Sequence, residues 1–212
     1  MSARQALYPV TLDLRRSGVL VVGAGTVALR KLKGLPLGVP SIKIVAPQVS
    51  PAVRSWILRH GQAKLLRRGF KRTDLAGSRI LFCCTGDPKL NGGIADLARA
   101  KGLWVCQVSD PGQGDLQVPA VARVAGLQMT LSTGGASPAL AGALRSHFEK
   151  SLRSSDLQWL LKRLQGLRPM MKADPLMKTR LLKKLLAPAA LAAILAPKSG
   201  VGRKRLEVLL KP

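Results

Sequence analysis

Residues 17–35 read SGVLVVGAGTVALRKLKGL, an apolar run, a glycine turn and a helical pattern in succession. Val19–Val22 are uninterruptedly apolar, which suits a strand covered on both faces, the situation inside a parallel sheet. Gly23-Ala24-Gly25 stops the run, and helical periodicity follows. Within this frame Gly23-Ala24-Gly25-Thr26-Val27-Ala28 fits the pattern G-x-G-x-x-A, the fingerprint of dinucleotide binding when it joins a strand to a helix. Gly23 permits the tight turn, Gly25 lets a pyrophosphate approach the backbone, and Ala28 lets the helix pack closely on the strand. Thr26 and Val27 stand in the first helical turn, where phosphate is received. An empty glycine turn is the alternative, and the alternation further along the chain weighs against it.

SIKIVAP (41–47) reads as a second strand. Ser50-Pro51 then opens a helix to about Gly61, since serine is a favoured N-cap and proline at the first helical position loses no hydrogen bond. AKLLRRG (63–69) is a weaker strand, SRILFCCTGD (78–87) a strong one, KLNGGIADLARAKG (89–102) a helix and LWVCQVSD (103–110) a further strand. LQMTLSTGG (127–135) closes the series. After Ser137 only helical patterns follow, over 137–152, 156–167, 174–187 and 201–210. Leu157, Leu160, Leu161 and Leu164 repeat at helical spacing as a packed face. The expectation is an α/β protein: a Rossmann-like, doubly wound parallel sheet over residues 1–137, then a small all-helical C-terminal domain over 138–212.

A net charge of +25 on 212 residues points to an anionic ligand or partner, without separating nucleic acid from a polyacidic small molecule. Against nucleic acid, the basic residues are not interleaved with aromatics, which make up only 3% of the chain, and no reader motif is present. Apolar residues at 47% exclude intrinsic disorder. Cys83, Cys84 and Cys106 lack C-x-x-C spacing and read as buried small residues in a reducing compartment. His60 and His147 have no second imidazole nearby in sequence, so no metal site is expected. No secretion signal is visible, and LLAPAALAAILAP (185–197) is too short and too broken by proline to span a bilayer. A cytoplasmic protein is expected.

A second place for an anion lies in LSTGGASPALAGALRSHFEKSL, residues 131–152. Ser132 and Thr133 run into Gly134-Gly135, and Ser137-Pro138 opens a helix. Free amides, a positive helix end and glycines that allow close approach suit a negatively charged group. An ordinary strand-to-helix turn is the alternative.

YPVTLDLRRSGVLVVGAGTVALRK (8–31), CCTGDPKLN (83–91), PAVARVAGLQMTLSTGGASPALA (119–141) and the helical tail together resemble the precorrin-2 dehydrogenase family, the N-terminal module of siroheme synthase. The resemblance runs over almost the whole chain in order. It implies oxidation of precorrin-2 to sirohydrochlorin with NAD, in some members with iron or cobalt insertion by the same protein. It also implies a homodimer whose helical parts help enclose the tetrapyrrole. By resemblance, Thr85 belongs to the cofactor site, and Arg123, Ser132, Thr133, Gly134, Gly135 and Ser137 to the substrate site. A polycarboxylate tetrapyrrole would also account for the basic charge.

Two departures stand out. The acidic residue that usually grips the ribose at the end of the second strand is missing, for no Asp or Glu lies between Asp13 and Asp74. Pro47 and Gln48 occupy that edge, so amide or backbone contacts must replace the carboxylate, and NAD versus NADP stays open. The family segment V-N-V-V-D reads V-C-Q-V-S here, which puts Cys106 at the usual Asn and Ser109 at the Asp considered catalytic. Asp110 is the neighbour, and adjacent residues leaving a strand point opposite ways. A serine hydroxyl is a far poorer acid or base near neutral pH than a carboxylate. Two readings survive: a dehydrogenase working through Asp110 or Ser109, and a binding descendant without turnover. Hydride transfer depends mostly on cofactor placement, which favours the first.

Overall fold

The computed structural model describes residues 7–108, 110–124, 126–153, 157–195, 204, 207 and 208. The alternation read from the sequence is present as β1 (Gly18–Val22), α1 (Thr26–Gly34), β2 (Ser41–Val45), α2 (Pro51–Arg59), β3 (Ala63–Leu66), β4 (Ser78–Cys83), α3 (Pro88–Arg99) and β5 (Trp104–Gln107). All five strands run parallel in the order β3-β2-β1-β4-β5. β1 is central, and Val19, Leu20 and Val21 are wholly buried. Val19 and Val21 pack with Ala28, Leu32, Val53 and Trp56 of α1 and α2 on one face. Leu20 and Val22 pack with Ile94, Ala95 and Ala98 of α3 on the other. The fold is therefore Rossmann-like and doubly wound, and each buried Val or Leu of β1 contributes about 1.5–3 kcal/mol.

The caps follow the sequence signals. Ser50 Oγ accepts the Val53 amide at 3.4 Å with Pro51 first in α2. Asp87 Oδ1 accepts the Lys89 and Leu90 amides at 2.9 and 3.2 Å with Pro88 first in α3. Between β3 and β4 a 3₁₀ turn, Arg72–Leu75, carries buried Asp74. The Arg68 guanidinium grips both its carboxylate oxygens, at 2.8 and 2.6 Å, and the Lys71 amide donates to Oδ2 at 2.8 Å. Those Arg68 hydrogen bonds hold the Asp74 pKa below its ordinary value, against the opposing effect of burial. Lys43 Nζ on β2 donates to the carbonyls of Asp74 and Ala76, tying the turn to the sheet.

The described residues divide into two compact units, one ending at Val118 and the other beginning at Pro119. The second unit opens with β6 (Ala120–Val124) and β7 (Leu127–Leu131), and continues with α4 (Pro138–Arg153), α5 (Leu157–Ala173), α6 (Pro175–Leu186) and α7 (Pro188–Leu195). LQMTLSTGG therefore does not close the parallel sheet: β7 pairs antiparallel with β6 in a sheet of its own. Only residues 125 and 126 separate the two strands, a connection that allows a hairpin and no crossover. The hairpin packs on α4, so the division falls at 118/119, ahead of the change of character after Ser137. Beyond Ser137 the described elements are all helices, with a core of Leu152, Leu157, Leu160, Leu167, Leu181 and Leu185 reached by Val124 of the hairpin. α5 continues past Pro169 to Ala173, and the helix read over 201–210 lies mostly outside the described residues. Among the described residues no helix is long and apolar enough to cross a membrane, and no group of three His, Cys, Asp or Glu side chains is placed to hold a metal ion.

Candidate functional site

Leaving β1, the chain winds out through β2 and β3 before returning to β4. The switch point between β1 and β4 opens a crevice at their carboxyl ends, where this architecture places its ligands. Gly23 follows β1 with φ +107° and donates its amide to the Val45 carbonyl at 2.9 Å. A Cβ on Gly23 would lie 2.4 Å from the Cys84 carbonyl oxygen, so glycine is demanded there by the chain itself.

Gly25 is different. Its backbone, φ −91° and ψ −163°, is one any residue adopts, and a Cβ there would meet no atom within 4 Å. No described residue requires glycine at this position. The open space lies at the N-terminus of α1, which has no side-chain cap and no acidic residue in its first turn. First-turn amides of Thr26, Val27 and Ala28 beside that open space suit a diphosphate in charge. Thr26 is exposed, Val27 half-buried, and Ala28 fully buried.

Pro47 and Gln48, both exposed, follow β2. The strip they form is held against the glycine turn by the Ser50 amide, which donates to the Ala24 carbonyl at 3.1 Å. Thr85 follows β4 and is half-buried, but its side chain is engaged within the chain. Thr85 Oγ1 lies 2.7 Å from Asn91 Oδ1 and 3.1 Å from the Asp87 carbonyl, while Asn91 Nδ2 donates to the Thr85 carbonyl at 3.1 Å. Buried Asn91, one turn into α3, clamps the β4–α3 turn. The sequence reading missed that role, although Asn91 closes the CCTGDPKLN stretch.

At the end of β5, Ser109 lies outside the described residues. Asp110 is half-buried, and both carboxylate oxygens serve its own turn. Oδ1 accepts the Gly112 amide at 3.0 Å and Oδ2 accepts Gln113 Nε2 at 2.9 Å. Cys106 is buried beneath α1, and burial pushes its thiol pKa up. Burial likewise pushes Cys83 and Cys84 up to about 12, so none of the three is a ready nucleophile. Gln107, also overlooked in the sequence, is buried, and its Oε1 has no partner among the described residues.

In the second unit, the turn from β7 to α4 is organised by its own hydroxyls. Ser132 Oγ accepts the Gly134 amide at 3.2 Å, and Thr133 Oγ1 accepts the Ser137 amide at 2.9 Å. Gly134 and Gly135 take φ +62° and +89°. Ser137 Oγ accepts the Leu140 amide at 3.2 Å and Pro138 has no N–H, so this helix start consumes most of the amides the sequence reading left free. Arg123 is exposed on β6, its guanidinium in no ion pair among the described residues; its backbone amide donates to Glu149 Oε1 at 3.4 Å. His60 ends α2 with its ring stacked on Trp56 at 3.9 Å, a packing role.

Residues 10–120 match a family model described as "Putative NAD(P)-binding". A siroheme synthase from Pseudomonas entomophila is 33% identical over 147 residues, 69% of this chain and 32% of that protein. Another, from Methylococcus capsulatus, is 36% identical over 146 residues, 69% of this chain and 31% of that protein. The chain thus spans about a third of the length of these relatives. A solved structure described as "SirC, precorrin-2 dehydrogenase" is similar with a TM-score of 0.71 and 26% identity, covering 96% of this chain and 98% of that one.

Proposed function

The chain belongs to the NAD(P)-binding family of precorrin-2 dehydrogenase and the siroheme synthases, and from that membership we propose that it oxidises precorrin-2 to sirohydrochlorin with NAD as acceptor. The observation that carries the reading is the bare cradle at α1, where Gly25 leaves space that no described residue fills. A dinucleotide held there would supply the acceptor for a hydride from the substrate. The amides of Thr26–Ala28 hold the diphosphate, and the Pro47–Gln48 strip lines the ribose edge. The Thr85–Asn91 clamp keeps the facing wall of the crevice in place. Hydride removal leaves a proton to be taken up, with Ser109 and Asp110 as the candidates. Asp110 holds its turn through one hydrogen bond on each carboxylate oxygen, and the second lone pair on each oxygen can take the proton.

The polycarboxylate is assigned to Arg123 and the turn from Ser132 to Ser137. Ser132 and Thr133 use oxygen lone pairs within the turn, which leaves their hydroxyl protons to donate to carboxylates. A homodimer and metal insertion into the product rest on the resemblance alone. The second reading, a tetrapyrrole-binding descendant without turnover, is favoured by Ser109 at the Asp position and by the engaged Asp110 carboxylate. Anaerobic incubation with precorrin-2 and NAD⁺, and in parallel with NADP⁺, separates the two: the sirohydrochlorin spectrum develops for a dehydrogenase. Both ligands bind without spectral change for the descendant. Adding iron(II) to the finished reaction tests metal insertion.

A further inference from the structure

The second unit also carries a groove of about 590 Å³ along α5, closed at one end by the start of α6. Leu161, Leu164 and Met171 form an apolar row, half-buried on the unit's core. Gln165, Arg168 and Lys172 form an exposed polar row beside it, the two sets pointing about 60° apart on the helix. Lys178 of α6 adds a third cation at the closed end, and among the described residues no acidic side chain lines the groove. Arg168, Lys172 and Lys178 enter no ion pair among the described residues. The nearest acid in sequence, Asp174, spends Oδ1 on the Leu176 and Met177 amides as the α6 N-cap.

We propose that this groove docks an amphipathic helix of a partner protein, one that carries Asp or Glu beside its apolar stripe. Charge complementarity selects the occupant. The chain's own 196–212 segment brings five Lys or Arg and a single acid, Glu207, and does not complement the cationic row. A second copy laying the same α5 face on this groove would set Arg168, Lys172 and Lys178 against their own counterparts. The lining also argues against a single-headed amphiphile, since a fatty carboxylate would match one cation and leave the others bare. Apolar and cationic rows running side by side along roughly 17 Å of α5, from Leu161 to Lys172, match a helix of about three turns.

The test uses the full chain and a fluorescein-labelled, helix-forming synthetic peptide with Leu along one stripe and Glu beside it, against a Gln-for-Glu twin. Anisotropy at about 0.1 M salt should show the Glu peptide binding at least about tenfold tighter than its twin. The double variant Arg168→Glu/Lys172→Glu should lose about tenfold or more. Lys183→Glu/Lys184→Glu makes the same charge change on residues that do not line the groove, and should stay within about twofold. Equal binding of the two peptides, or equal loss in the two double variants, overturns the proposal in favour of unspecific attraction to a basic protein. A changed sedimentation state of Arg168→Glu/Lys172→Glu overturns it in favour of a second copy. Displacement of the peptide by sirohydrochlorin, with sirohydrochlorin binding lost in the same variant, overturns it in favour of the polycarboxylate.

Discussion

Gly23 and Gly25 are glycine for unrelated reasons, and substitution separates them. Gly23→Ala forces a side chain against the Cys84 carbonyl at a positive φ, so it should lower stability by about 2 kcal/mol or more in urea titration. Gly25→Val enters open space, so it should cost under about 1 kcal/mol yet abolish dinucleotide binding by calorimetry; retained binding would place the dinucleotide elsewhere. The second chemical question sits at Ser109. Restoring the carboxylate with Ser109→Asp should raise sirohydrochlorin formation about a hundredfold, the usual contribution of a positioned acid or base. Should Ser109→Asp change nothing while Asp110→Asn stops the reaction, Asp110 carries the chemistry. The turn at Gly23–Ala28 was legible because strand, glycines and helix are contiguous. Asn91 was not, because a side chain clamping a turn six residues earlier leaves no period or composition to read.

Parallel strands and two helix starts were legible element by element: buried runs announce the strands, and Ser50-Pro51 and Ser137-Pro138 announce helices, whereas the Asp87 cap of α3 fell inside the stretch read as a strand. The β6–β7 hairpin escaped, since ARV and LQMTL read locally like any strand and partner and direction are decided by the short connection. The Arg72–Leu75 turn gives an element-scale test. Because the folded pKa of Asp74 is depressed, its stabilisation is complete above the unfolded carboxylate value near pH 4 and fades as pH falls through the lower folded value. Asp74→Asn should therefore cost about 2 kcal/mol at neutral pH, since it strips the partner from Arg68, and the gap to the parent should narrow toward pH 3 in urea titration. A gap that stays constant across that range would mean the loss is packing and not charge.

For the whole molecule, charge is the dominant property, and its excess is spread over both units. If that excess serves the tetrapyrrole, polycarboxylate affinity measured by absorbance titration should fall clearly from low salt to high, because exposed cation–carboxylate contacts are screened beyond a Debye length of about 10 Å at 0.1 M. Salt-independent binding would detach the +25 from the substrate. The strand order β3-β2-β1-β4-β5 has a consequence in time as well as in space. During synthesis β1 can pair with β2 early, but its other edge waits for β4, which begins 56 residues after β1 ends (78 − 22). At roughly 5–20 residues per second the ribosome takes roughly 3–11 seconds to cover that gap. Throughout it, one of the most apolar strands of the chain presents an unpaired edge, the usual nucleus of aggregation. Slow codons placed between residues 23 and 77 should lower the yield of folded protein in translation, whereas the same codons after residue 107, when the sheet has all its strands, should not.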